Sequence, residues 1–148
     1  MADWSKQRFY EDVNEGDEVA PVTFNMTVQR LVIEAGANRD FNPVHHNTRL
    51  AEASGAPEMF ANNTFVLGCW ERTVREYIGL DGKIKKLGPF RIRTFSPVGE
   101  AVVCTGTVKR KFQESGENLV ELEMQATHSK GVASGPGPVV VSLPSRGA

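Results

Sequence analysis

The apolar and polar positions divide this chain into a helical first half and a strand-rich second half. Met1 to Gly16 is a polar lead-in without a clear period. Glu18 to Met26 reads as a strand with Val19, Val22 and Phe24 as core candidates, and Pro21 marks it as late-starting or at an edge. At Thr27 the period changes. Thr27 can cap a helix whose apolar face holds Val28, Leu31, Val32 and Ala35, and Gly36 is expected to end it. A brief second helix runs from about Thr48 to Ser54, capped by Asn47 or Thr48 and stopped by Gly55 and Pro57. The longest helical pattern runs from about Ala61 to Ile78, with Asn62 or Asn63 as cap and Gly79 as stop. Val66, Leu67, Trp70, Val74, Tyr77 and Ile78 form its broad apolar stripe, and Glu71–Arg75 and Arg72–Glu76 are i,i+4 pairs on the outer side. At roughly 27 Å such a helix crosses a whole small domain, so it is expected to be the core helix.

After Gly82 the period falls to two. Lys83 to Phe95 reads as a strand broken at Gly88-Pro89, with Phe90, Ile92 and Thr94 alternating against Arg91, Arg93 and Phe95. Ala101 to Lys111 sets Val102, Cys104 and Val108 on one face. Glu114-Ser115-Gly116-Glu117 is a hairpin turn, and Leu119 to His128 places Val120, Leu122, Met124 and Ala126 opposite Glu121, Glu123, Gln125 and Thr127. Gly135-Pro136-Gly137-Pro138 reads as a further turn and Val139 to Leu143 as a last short strand. A strand, helices, one long helix and then four strands in a row predict an α+β fold, an antiparallel sheet folded around one central helix. No repeat or linker divides residues 1–148, so a single domain is expected.

Composition narrows the function classes. The 148 residues are 40% hydrophobic and 24% charged with net charge −1, an ordinary globular balance. Near-neutral charge argues against nucleic acid as the main partner. Cys69 and Cys104 lie far apart in apolar contexts and form no Cys-x-x-Cys unit. They read as buried free thiols rather than a disulfide or metal site. The start lacks the apolar core of a signal peptide, and no run approaches membrane-spanning length, so a cytoplasmic location and no membrane partner are expected.

The densest chemistry lies in Asn38-Arg39-Asp40-Phe41-Asn42-Pro43-Val44-His45-His46-Asn47. Asp40 and His45 are five positions apart, about 140° around a regular helix and on opposite faces of a strand. Only a bent backbone brings them together. Pro43 fixes its own φ and pushes Asn42 out of the helical region, while Asn42 can close a local turn onto the backbone two residues on. Polar residues of this kind also serve simply to connect helices.

Asp40-Phe41-Asn42-Pro43-Val44-His45 resembles the Asp-x-Asn-Pro-x-His signature of the MaoC-like R-specific enoyl-CoA hydratases. Leu87-Gly88-Pro89-Phe90 to Val98-Gly99-Glu100 and Gly137 to Pro144 look like that family's later strands. The resemblance implies a single hot-dog domain and a hydro-lyase needing no metal or cofactor. Asp40 and His45 would polarise a water beside the C2=C3 bond of a 2-enoyl thioester, giving the (3R)-3-hydroxyacyl thioester or the reverse. Asn42 and Pro43 would shape the loop. Histidine suits a group that is base in one direction and acid in the other. The thioester oxygen would be met by backbone N–H groups of Ala61 and Asn62 at the start of the long helix. The family usually carries His-Gly there, where this chain has Phe60-Ala61-Asn62-Asn63. Phe60, Asn63 and Glu58 are therefore candidate substrate contacts, although a role in capping the helix explains Glu58 and Asn63 more simply.

Lys83, Lys85, Lys86, Arg91 and Arg93 form the one basic cluster. Lys85 and Arg91 in it are candidates for coenzyme A phosphates or an acidic acyl carrier protein, or else solubilising charge on an exposed strand. His46 reads as solvent-facing, and His128 has no evident partner. The resemblance also implies pairing with another hot-dog chain, as a homodimer or in a mixed assembly like those acting on steroid side-chain thioesters. In such an assembly this chain, with both Asp40 and His45, would be the catalytic member. Two other classes stay open. A hot-dog thioesterase would use a carboxylate on the central helix, where only Glu71 qualifies, and a non-catalytic partner would bind acyl chains or steady a catalytic chain.

Overall fold

A computed structural model describes residues 6–147, so Met1 to Ser5 of the polar lead-in lie outside the described residues. The elements are β1 (Glu18–Asn25), α1 (Val28–Ala37), α2 (Thr48–Ala53), α3 (Asn63–Ile78), β2 (Lys83–Leu87), β3 (Ala101–Glu114), β4 (Glu117–His128) and β5 (Gly131–Ser142). The strands form one antiparallel sheet in the order β1-β3-β4-β5-β2. The sheet curls around α3, which touches β1, β2, β3 and β4. This is the expected α+β hot-dog domain.

Alternation explains the wrapping. Val102 and Cys104 on β3, Val120, Leu122, Met124 and Ala126 on β4, and Val139 and Val141 on β5 are all fully buried. They meet Val66, Cys69, Trp70, Val74 and Ile78 from α3. Both expected ion pairs ride the outer face of α3, Arg72–Glu76 at 2.5 Å and Arg75–Glu71 at 3.6 Å. The β3–β4 hairpin turns on Ser115 and Gly116, both left-handed with φ of 53° and 78°, as a two-residue loop requires. β1 is an edge strand whose register slips between Val19 and Val22, around Pro21. Both cysteines are buried free thiols, and burial pushes the Cys104 thiol up to about 12, which leaves it unreactive near neutrality.

Three expectations are corrected. Gly135 to Pro138 is not a turn, because β5 runs through it with a register slip against β4: Met124 pairs with Gly137 and Ala126 with Ser134. The cause is Trp70, whose indole N–H donates to Ser134 Oγ at 3.1 Å. A Cβ on Gly137 would lie 3.2 Å from that ring, so the absent side chains let the strand bulge over it. Phe90 to Phe95 is not strand either. Ile92 forms a lone bridge to Ser134, and the N–H groups of Arg93 and Thr94 both donate to the Ala133 carbonyl. Phe90 instead sets its ring edge-on against Trp70, 5.1 Å between centroids.

The third correction concerns α1, which passes through Gly36 to end at Ala37 with Asn38 as C-cap. Its inward face is Leu31, Glu34 and Ala35, while Val28 and Val32 are exposed. The face is rotated so that a carboxylate, not a valine, points inward.

Candidate active site

The loop between α1 and α2 is bent by its own backbone. Arg39, with φ of 53°, takes a left-handed conformation that turns the chain out of α1, and the Asp40 N–H donates back to the Ala35 carbonyl at 2.9 Å. Asn42 then acts as the sequence predicts: its side chain accepts from the Val44 N–H, and Pro43–His45 makes one 3-10 turn. That turn swings His45 back over Asp40. The Asp40 Oδ2 lies 3.2 Å from His45 Nε2.

The proton inventory of this pair follows from its other contacts. His45 Nδ1 lies 2.8 Å from the Phe60 carbonyl, which can only accept, so Nδ1 carries a proton. In the neutral imidazole Nε2 therefore holds a lone pair and faces a carboxylate oxygen. Two acceptors this close are satisfied by a proton on the ring or by a water donating to both. Phe60, not Asp40, thus selects the tautomer. Its ring packs edge-on against the imidazole and lies 4.6 Å from the Phe95 ring. His45 is buried and the Asp40 side chain is 39% exposed, so the pair opens to solvent on the Asp40 side.

The expected oxyanion donors need correcting. The Ala61 N–H is bonded to the Ser96 carbonyl at 3.0 Å, and the Asn62 N–H to the Glu34 carboxylate at 3.1 Å. A helix start leaves four N–H groups without intrahelical partners, here those of Asn62, Asn63, Thr64 and Phe65. Glu34 takes the first, and the Asn62 side chain takes the last at 2.8 Å as N-cap. The Asn63 and Thr64 N–H groups are left, at exposed positions.

Phe60 and Asn63 stand beside the pair or at the helix start, whereas Lys85 and Arg91 do not join them. Lys85 is on β2, ion-paired to Glu117 at 2.8 Å, and Arg91 lies in the segment after it, with no hydrogen bond or ion pair to Asp40, His45 or Phe60. His46 is exposed as expected. His128 does have partners: Nε2 lies 3.0 Å from both the Thr94 hydroxyl and the Phe95 carbonyl, and Nδ1 lies 4.0 Å from Glu100. Glu71 is spent on Arg75 at the surface. A concavity of about 840 Å³ lies toward the far end of α3 by Thr73 and Tyr77, away from this pair.

Three groups escaped the sequence reading. Glu34 is 5% exposed and lies three residues after Leu31 on the inward face of α1, so a charge at an apolar position was the available signal. Asn38 Nδ2 donates to Glu34 at 3.1 Å and to Asn62 Oδ1 at 3.2 Å. Ser96 left no signal; its hydroxyl and Asn62 Nδ2 are buried without a protein partner. Among the described residues no cluster of metal-ligating side chains occurs and no helix is long and apolar enough to cross a membrane.

Fold and loop together define a single hot-dog domain with a carboxylate–imidazole pair beside the start of its central helix. No protein-family model matches the sequence, and no curated protein does. Among solved structures, the neighbours include R-hydratases and MaoC-like dehydratases. The (R)-hydratase from A. caviae involved in PHA biosynthesis has a TM-score of 0.80 at 16% identity, over 90% of this chain and 99% of that one. R-hydratase PhaJ1 from Pseudomonas aeruginosa has a TM-score of 0.80 at 18% identity, over 93% and 86%. The ChsH1-ChsH2 complex from Mycobacterium tuberculosis has a chain with a TM-score of 0.79 at 22% identity, over 88% and 98%. The chain has the fold of the MaoC-like hot-dog proteins.

Proposed function

We propose that this chain is a hydratase or dehydratase acting at the C2=C3 bond of a 2-enoyl thioester. The observation that carries this reading is the 3.2 Å approach of Asp40 to His45 Nε2, with Nδ1 already committed to Phe60. In hydration, a water held between the two acceptors gives its hydroxyl to C3. Its proton passes to His45 Nε2, and the imidazolium then gives a proton to C2, so one water is consumed and the site ends with the protons it began with. Dehydration runs the same steps backwards, with His45 as the acid. Asp40 steadies the imidazolium formed between. Negative charge builds on the thioester oxygen as C3 is attacked. The open N–H groups of Asn63 and Thr64 are suited to receive it, since backbone donors at a helix start cost no reorganisation. The product would be the (3R)-3-hydroxyacyl thioester, carried on coenzyme A or an acyl carrier protein. The likeness to R-hydratases and to a chain of a two-component complex supports both the chemistry and pairing with a second hot-dog chain.

The test uses crotonyl-CoA and a bulky enoyl-CoA. Loss of the enoyl absorbance without release of thiol is expected, and His45→Ala is expected to abolish it while the fold persists. Thiol release would mean a thioesterase. No reaction with either substrate, alone or with a hot-dog partner, would mean a binding or scaffolding chain.

A further inference from the structure

We infer that Glu34 is a positioning residue of this site: its carboxylate ties the end of α1 to the start of α3 and so sets the acid–base pair against the open helix amides. The inference rests on the hydratase reading above. Glu34 Oε1 accepts the Asn62 N–H, and Oε2 accepts Asn38 Nδ2. The same Asn38 amide donates to Asn62 Oδ1, which in turn caps the Phe65 N–H. Glu34, Asn38 and Asn62 therefore close a ring of three residues, through two side-chain bonds of Asn38 and the main-chain N–H of Asn62. Asn38 lies two residues before Asp40, and its own N–H returns to the Glu34 carbonyl at 2.9 Å. The ring thus fixes both the residue from which the loop departs and the helix start that the thioester oxygen would meet.

The ring works only with Glu34 ionised. Both carboxylate oxygens face donors, and a proton on Oε2 would point an O–H at the Asn38 NH₂. Burial pushes the Glu34 carboxyl above the ordinary glutamate range, and the bonds from Asn62 and Asn38 offset that without reversing it. The charged and titratable groups around it are His45, which favours the ionised form, Asp40, which opposes it, Arg30 on α1, and Cys69 on α3. A cavity of about 330 Å³, lined by Arg30, Ile33, Glu34 and Phe65 among others, lies on this side of α1. The ring therefore opens at a pH where ordinary carboxylates are still ionised.

Glu34→Gln mimics the opened state, because its amide keeps an acceptor for Asn62 but sets a donor against Asn38. The kcat of this variant is expected to fall by about tenfold or more with KM within about threefold, the split of a group that acts on the reacting geometry rather than on binding. The acid limb of the kcat–pH profile should lose one ionisation. Asn38→Ala should show the same kcat loss, and the double variant no further loss, as members of one network do. Losses that multiply, or a Glu34→Gln enzyme within about twofold of wild type at every pH, would overturn the inference. A second measurement is independent of turnover. The Asn62 amide proton shift should titrate in wild type with a midpoint above the glutamate range and stay flat in Glu34→Gln. A flat wild-type curve would also refute the ring, whereas an inactive wild type with a titrating amide would refute the hydratase reading alone.

Discussion

Replacing Asp40 by Asn isolates the carboxylate charge, because the change is isosteric and its Oδ1 still accepts the Asn42 N–H, at 3.4 Å in the wild type. In the proposed reaction His45 becomes an imidazolium 3.2 Å from Asp40. At an effective dielectric constant of about 20, the attraction between unit charges at that distance is roughly 5 kcal/mol, an upper limit. Asp40 is 39% exposed. Solvent screening therefore reduces this to about 2–3 kcal/mol, and at about 1.4 kcal/mol per decade kcat should fall roughly a hundredfold. The lost acceptor for the bridging water can add to this, toward the upper end of general acid–base contributions of about 10²–10⁴. The fold should hardly change, since half-exposed pairs of this kind contribute about 1 kcal/mol or less. The assay is the decay of enoyl absorbance, run beside a thermal melt. A variant with an unchanged melt and more than about a third of wild-type kcat would refute the role, because that loss is far below the screened Coulomb value.

Three further outcomes bear on the fold and its pH dependence. The folded state binds the Glu34 proton more tightly than the unfolded chain, so stability is greatest below the ordinary glutamate range and declines as pH rises through the folded-state pKa. Wild type should thus lose melting temperature relative to Glu34→Gln across that window, and parallel curves would contradict it. Gly137→Ala places a methyl 2.6 Å from the Pro89 carbonyl and 3.2 Å from the Trp70 ring. This overpacking is expected to cost about 1–3 kcal/mol by denaturant titration, and a neutral result would mean that β5 is free to shift. Asn62→Ala removes the N-cap of α3 and should cost about 1–2 kcal/mol in the same titration, against an expectation near zero if the cap were idle.

Period and spacing made most of the fold legible, and the misses share one cause. β3, β4 and α3 are legible because each has one buried and one exposed face, so the pattern records the burial directly. Gly135 to Pro138 has the residues of a turn, and nothing local reveals that Trp70, some 65 residues earlier, needs a strand without side chains there. The inward face of α1 was misassigned toward Val28 and Val32 because a buried Glu34 is invisible to a rule that looks for apolar stripes. In the loop, the meeting of Asp40 and His45 followed from Asn42-Pro43, which acts over neighbouring residues. The anchor for His45 did not, since the Phe60 carbonyl comes from fifteen residues away and a backbone oxygen leaves no trace in residue type.

The helix start shows why those long-range partners bear on chemistry. Four N–H groups at the head of α3 need acceptors, and a helix capped only for stability would satisfy as many as it can. Here the Asn62 side chain satisfies one and Glu34 a second, while the amides of Asn63 and Thr64 between them make no hydrogen bond among the described residues. Glu34 is a costly acceptor, since burial opposes its ionisation, and the favourable position of an anion at the positive end of the helix recovers only part of that. A neutral Asn or Ser on α1 would take the Asn62 N–H at less cost, but it would not also accept from Asn38. Stability alone therefore does not account for a carboxylate here. Its second oxygen does, by tying the loop that carries Asp40 and His45 to the start of α3.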